Sequence, residues 1–268
     1  MHIMEAPWEY DVKPFPITDN VWYVGNSQVA SHLIDTGDGL VLLDTGWPST
    51  LYMLLESIRD AGFSPAKIRY LLHSHAHVDH IGGTRRMVRK YGCRTMLGEK
   101  DLSLLKERRA LNLCGYYHCE DVADFEITDP ISKNETFRLG STEFQFVDAP
   151  GHTPGTLGIF FNSTWGGKPC RVGMHGGAGR NTLESSFIRA YALDPKVRED
   201  YVDSLQELMK QHVDVALGNH PAQLCVIESQ RQKRTGENPF LDDAIWPKFL
   251  REQLRCYELM TREDPLQV

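Results

Sequence analysis

Four side chains able to bind a divalent cation stand within six residues in the run His75-Ala76-His77-Val78-Asp79-His80, with Gly82 and Gly83 close behind. Imidazole nitrogen and carboxylate oxygen are donors that Zn²⁺ accepts, and a site that keeps one coordination position open to water is a catalytic one. Four donors cannot complete two such sites, so further ligands must come from elsewhere in the chain. Two later turns each carry a histidine, Gly151-His152-Thr153-Pro154-Gly155 and Gly218-Asn219-His220-Pro221. The chemistry such a cluster supports is metal-assisted hydrolysis, because a pair of divalent ions lowers the pKa of a shared water to about neutrality, polarises a carbonyl and stabilises a leaving anion. No side-chain nucleophile is then required, and the chain has neither a Gly-x-Ser-x-Gly elbow nor a glycine-rich phosphate loop.

The elements that must position these residues are legible as short apolar runs ending at each turn. Ile68-Arg69-Tyr70-Leu71-Leu72 reads as a buried strand delivering His75 and His77 on one side, after which the chain turns Asp79 and His80 to a second position nearby. Phe144–Val147 and Val213–Leu217 precede His152 and His220 in the same way. Further strands are expected at 21–25, 30–35 and 39–44, the last two joined by the hairpin turn Thr36-Gly37-Asp38-Gly39, and at 93–97, 136–149, 157–162 and 169–174. Ser49 is expected to cap a helix with Leu51, Leu54, Leu55 and Ile58 on one face, closed by Gly62. Helices are also expected from Gly83 to about Lys90, near 100–110, around Val202, Leu205 and Met209, and over 242–260.

In this order the motifs resemble the metallo-β-lactamase superfamily, from Val21 to the C-terminal helix. Besides the histidine run, Leu42-Leu43-Asp44-Thr45-Gly46 resembles its early Asp-Thr-Gly turn and Pro150–Gly155 its second ligand turn. The resemblance implies an α/β fold, an αββα sandwich of two mixed sheets flanked by helices, as one domain over 1–268. It implies that His75, His77 and His152 hold one zinc and that Asp79, His80 and His220 hold a second, two Zn²⁺ per chain. An Asp-His-His second site without cysteine is most similar to the third subclass of class B β-lactamases, as are Ser74–His77 and Asn238–Asp242. Many superfamily hydrolases bridge both metals with an aspartate where this chain has Val172-Gly173-Met174-His175-Gly176-Gly177, which holds no carboxylate. That departure favours a β-lactamase-like site over a glyoxalase-II-like or phosphodiesterase one. The expected activity is therefore opening of a cyclic amide, a β-lactam, with Asp79 orienting the nucleophile or relaying its proton. A lactone or thioester hydrolase is the alternative. A di-iron redox module is a third reading, disfavoured because such relatives carry Glu where His77 stands.

The remaining histidines read differently. His73 shares the strand parity of His75 but lies further back and is expected to pack, while His175 is expected to orient or line the site. Asp44, at a strand end, is expected to accept the second N–H of a ligand imidazole. His32 reads as structural, and His2, His118 and His212 as surface residues. Substrate contacts are expected from the segment 112–129, with Tyr116 and Tyr117, and from an opposite rim, 177–192, where Arg189 could pair a carboxylate.

Composition sets the remaining bounds. With 36 acidic against 29 basic residues and a net charge of −7, the chain is a poor match for a polyanion, so a small-molecule substrate and no nucleic acid are expected. No apolar run approaches the ~20 residues a membrane span needs, and the first residues lack a basic start and apolar stretch. The sequence as given reads as cytoplasmic, or as periplasmic or secreted if a leader has been removed. Six cysteines without Cys-x-x-Cys spacing read as thiols, with Cys114 and Cys119 close enough to pair under oxidation. Oligomeric state is not legible.

Overall fold

A computed structural model describes residues 2–119, 122–232 and 236–266. The first of two mixed sheets has seven strands in chain order: β1 (Phe15–Pro16), β2 (Val21–Tyr23), β3 (His32–Asp35), β4 (Leu40–Leu43), β5 (Ile68–Leu72), β6 (Arg94–Gly98) and β7 (Asp129–Ile131). Strands β1 to β4 run antiparallel and β4 to β7 parallel. The second sheet has five: β8 (Thr136–Leu139), β9 (Thr142–Asp148), β10 (Leu157–Trp165), β11 (Lys168–His175) and β12 (Val215–Gly218), in spatial order β12-β11-β10-β9-β8. Only the β11–β12 pair is parallel there.

Side-chain alternation explains how the sheets stack. In β9, Phe144 and Phe146 are buried while Gln145 is exposed, and they meet Val41, Leu43, Leu72, Ile159 and Phe161 in the core between the sheets. The outer face of the first sheet is covered by α2 (Leu51–Asp60) and α4 (Thr84–Tyr91), whose Leu51, Leu54, Ile58 and Met87 pack on Leu33, Leu42 and Leu71. On the second sheet α7 (Val197–Leu208) and α9 (Ile245–Glu263) bury Tyr201, Leu205, Leu208, Trp246 and Leu250 against Phe160 and Ala216. Helix, sheet, sheet and helix follow one another, the expected αββα sandwich. The short helices α1 (His2–Glu5), α3 (Val78–Ile81), α5 (Leu102–Lys106), α6 (Ser185–Ala190) and α8 (Val226–Arg231) decorate its loops. Among the described residues no helix is long and apolar enough to cross a membrane.

Several boundaries differ from the sequence reading. The run 136–149 is a hairpin, not one strand, because Gly140 turns at φ 52, where a Cβ would lie 2.1 Å from the Thr36 carbonyl oxygen. Ser49 does not cap α2. A 3₁₀ turn over Pro48–Thr50 precedes the helix, and the Ser49 hydroxyl instead points to the Ile3 carbonyl. The helix expected near 100–110 is only α5, flanked by 3₁₀ turns at Glu99–Asp101 and Arg109–Asn112, and the last helix runs over 245–263.

Candidate metal centre

The C-terminal ends of β4, β5, β6, β9, β11 and β12 meet at one edge of the sandwich, and the chemistry-bearing residues leave from them. Beyond β5 the chain places His75 and His77 and turns through α3, which carries Asp79 and His80. The turn after β9 brings His152, and the residue after Asn219 beyond β12 is His220. The donor atoms of His75, His77 and His152 lie within 4.8 Å of one another, and so do those of Asp79, His80 and His220. The two sets adjoin, with the His75 and His80 ring centroids 4.3 Å apart. These are the sets the resemblance implies.

Four of the five imidazoles are aimed from behind. His75 Nδ1 donates to the Gly176 carbonyl at 2.7 Å, His152 Nδ1 to that of Gly179 at 2.9 Å, and His220 Nδ1 to that of Gln28 at 2.8 Å. His80 Nδ1 lies 2.8 Å from Asp44 Oδ2. With those N–H groups committed, the Nε2 lone pairs face inward. His75 Nε2 stands 3.0 Å from His77 Nδ1, two acceptors that a cation between them would satisfy. His80 Nε2 is buried, 3.2 Å from Asp79 Oδ2 but poorly aligned with it, and has no hydrogen-bond partner. A carboxylate and five imidazoles with inward lone pairs fit a pair of Zn²⁺ ions.

Electrostatics agree. Burial, together with the neighbouring rings of His80, His77 and His152, holds His75 well below the usual imidazole range. Burial likewise pushes His77 to about 4, holds His152 well below the usual range and lowers His220. Burial pushes the Asp79 carboxyl up, but His80, His220 and His77 outweigh it and keep it ionised. Burial would also lower His80, yet Asp79 and Asp44 lift it to about 10. At neutral pH His75, His77, His152 and His220 therefore keep free lone pairs and Asp79 is charged, as a cation requires, while His80, held protonated by the two carboxylates, gives up a proton when a cation binds.

Asp44 occupies the left-handed region at φ 61, and from there it accepts the Ser74 N–H at 2.8 Å and the Ser74 hydroxyl at 2.6 Å besides facing His80. It thus orients the ligand loop, in the position the sequence suggested. His175 belongs to neither donor set. Its Nδ1 accepts the Gly177 N–H at 3.1 Å, and Gly177 packs so closely on His152 that a Cβ there would lie 2.7 Å from the ring. His73 is buried with Nε2 3.2 Å from the Thr84 hydroxyl, and His32 lies on β3 against Tyr23. His2, His118 and His212 are exposed.

A cleft of about 550 Å³ opens over the metal sets, lined by Trp47, Leu113, Tyr116 and Tyr117 together with Val29, Asn181, Asn219 and Ala222. Tyr117 packs edge-on against Trp47 at 5.1 Å. Arg189, expected at the rim, is instead exposed on α6 and is not part of the lining, because α6 turns its Ser185 and Ile188 inward.

Two residues escaped the sequence reading. Asn219 donates from Nδ2 to the Gly176 carbonyl at 2.8 Å, the same oxygen that aims His75. Asp101, fully buried, joins both ligand turns: Oδ2 accepts the Ala76 N–H at 2.8 Å and the Thr153 hydroxyl at 2.8 Å, and Oδ1 accepts the Gly155 N–H at 2.6 Å. Burial pushes its carboxyl up to about 6 against those hydrogen bonds.

This fold and this pair of donor sets define a metal-hydrolase architecture, and the sequence profile of the metallo-beta-lactamase superfamily matches residues 24–164. The chain belongs to that superfamily. The crystal structure of BJP-1, a subclass B3 metallo-beta-lactamase of Bradyrhizobium japonicum, superposes with a TM-score of 0.85 at 25% identity, covering 96% of each chain. Among curated proteins, a probable metallo-hydrolase of Methanocaldococcus jannaschii is 25% identical over 50% of this chain and 63% of its own length. A hydroxyacylglutathione hydrolase of Anaeromyxobacter dehalogenans is 26% identical over 47% of this chain and 40% of its own length. The matches thus span less than two thirds of these two curated relatives.

Proposed function

We propose that this protein is a zinc-dependent hydrolase that opens the amide of a β-lactam ring, with one ion held by His75, His77 and His152 and the other by Asp79, His80 and His220. The observation that carries the reading is the paired donor sets at one sheet edge, four of the five imidazoles aimed by a backbone carbonyl or a carboxylate, beneath a cleft large enough for a small molecule. Bound there, two Zn²⁺ ions would supply a water ionised near pH ~7 and polarise the scissile carbonyl.

The chain's own side chains do the rest. Asp79 Oδ2, 3.2 Å from His80 Nε2 and 3.6 Å from His220 Nε2, is placed to accept a proton from the attacking water and pass it to the departing amine nitrogen. Asp44 and Asp101 hold the ligand loops and keep their geometry through turnover. Trp47, Tyr116 and Tyr117 give the cleft an aromatic wall that buries apolar substrate groups and excludes water, while the exposed Asn181 offers amide hydrogen bonds.

Likeness to the subclass B3 structure supports the lactam reading, and likeness to a hydroxyacylglutathione hydrolase supports a thioester substrate as the second reading. A steady-state panel separates them: a carbapenem, a cephalosporin, an acyl-homoserine lactone and a glutathione thioester, each with and without a chelator. The expected result is zinc-dependent turnover of a lactam. Turnover of the thioester or lactone alone would transfer the site to that chemistry, and chelator-insensitive turnover would remove the metal from it.

A further inference from the structure

The turn that carries Tyr116 and Tyr117 has a second property. Its Cys119 N–H donates to the Cys114 carbonyl at 3.1 Å and its His118 N–H to that of Gly115 at 3.2 Å, with His118 in the left-handed region at φ 52. This is the nested pattern of a Schellman turn, which brings the side chain after the left-handed residue against the one five positions earlier. Those two positions are both cysteine. The Cys119 thiol accordingly makes a side-chain hydrogen bond with Cys114, and its sulfur also lies 3.4 Å from the Cys114 carbonyl oxygen. Both residues are thiols in this structure. Cys114 is buried, whereas Cys119 lines an open groove of about 430 Å³ on the far side of the turn, beside Met4, Ser49, Tyr52 and Leu55.

We propose that Cys114 and Cys119 form a disulfide when a small diffusible disulfide enters that groove, and that the bond staples the aromatic wall of the metal cleft. The Cys119 thiolate attacks one sulfur of the diffusible disulfide, giving a mixed disulfide and releasing one thiol. The Cys114 thiolate then attacks the Cys119 sulfur and releases the second. Two protein thiols are oxidised, one diffusible disulfide is reduced to two thiols, and two protons pass to these products. The turn needs little rearrangement, since its own hydrogen bonds already hold the two side chains together. Tyr116 and Tyr117 lie between the cysteines, so closing the ring restrains the residues that face the substrate. The thiol–thiol hydrogen bond, with burial, pushes the Cys119 pKa up, which slows the first exchange step, and alkaline solution counters this by raising the thiolate fraction.

The test incubates the metal-loaded protein with glutathione disulfide near pH ~8.5, followed by intact mass, differential alkylation and peptide mapping. The expected product is lighter by two hydrogens, carries a Cys114–Cys119 cross-link, and leaves Cys93 and Cys170 alkylatable after denaturation. Chymotryptic cleavage after Tyr116, which is 64% exposed, should slow about tenfold on oxidation and recover on reduction, because the ring suppresses local opening. In Cys114→Ser the slowing should be absent. Stable glutathionylation of Cys119 with Cys114 still alkylatable, or a cross-link to any other cysteine, overturns the pairing. A Cys114–Cys119 bond that leaves cleavage unchanged overturns the staple. The mapping of the unaltered protein decides the pairing whether or not the variant folds.

Discussion

Asp101→Asn isolates a carboxylate that touches no candidate ligand yet holds both ligand turns of one metal set. Asparagine keeps the shape but replaces one acceptor oxygen by an NH₂ group. If that group takes the Oδ1 position it confronts the Gly155 N–H, and if it takes Oδ2 it confronts the Ala76 N–H, since only the Thr153 hydroxyl can reverse its role. Either way at least one buried backbone donor is left unpaired, a cost of about 1–3 kcal/mol. Asp101→Ala strands both backbone donors, while Thr153 keeps Thr156 at 2.8 Å, so about 2–6 kcal/mol is expected. The Ala76 and Thr153 backbones flank His75, His77 and His152, so affinity at that set should fall about 10- to 100-fold while the Asp79–His80–His220 set changes little. Zinc competition against a chromophoric chelator, with urea unfolding of the metal-free protein, reads both effects. Loss of stability with both metal affinities within about twofold of the original would refute the positioning argument.

Other outcomes follow from the same geometry. His75→Ala and His220→Ala should each reduce bound zinc from about two ions per chain to about one, in complementary sites, as metal analysis would show. The metal-free protein should be most stable near pH 6.5. His80, raised to about 10, contributes stability that is full below its unfolded value of 6.5 and is lost as pH rises toward 10. His32, His73, His77 and His175, lowered to about 4, contribute stability present above 6.5 and lost as pH falls toward 4. Asp101, raised to about 6, acts in the opposite sense between 3.8 and 6, but it is one group against four. Urea midpoints that rise steadily from pH 6.5 to 10 would contradict this. Gly155→Ala should cost about 1–3 kcal/mol, because its Cβ would stand 2.5 Å from the Asp101 backbone nitrogen, where nothing yields cheaply. Equilibrium unfolding checks it.

What the sequence disclosed depended on whether local pattern and tertiary placement coincide. The β5 run is apolar and buried at its C-terminal end and leads straight into closely spaced histidines, so the placement of His75 and His77 at a sheet edge is legible in the run itself. His152 and His220 are legible for the same reason, each following an apolar run into a glycine- or proline-bearing turn. Asp101 is not, because it ends the polar run Glu99-Lys100-Asp101, in which the first two residues are exposed and only the third is buried. Nothing local distinguishes them. The inward aim of Asp101 is set by how the 3₁₀ turn after β6 meets Gly155, a contact between residues 54 positions apart. Arg189 failed in the opposite way: its charge suggested a substrate contact, but the register of α6 turns it to solvent.

One consequence of the topology concerns the polypeptide as two segments. Every strand of the first sheet lies before Ser132 and every strand of the second after Glu135. His75 and His77 come from the first and His152 from the second, while Asp79 and His80 come from the first and His220 from the second. Neither segment owns a full set of donors. Severed in the short link between β7 and β8, the pieces could reconstitute both centres only by reassociating, and each ion would then act as a rivet across the break, making fragment complementation a zinc titration.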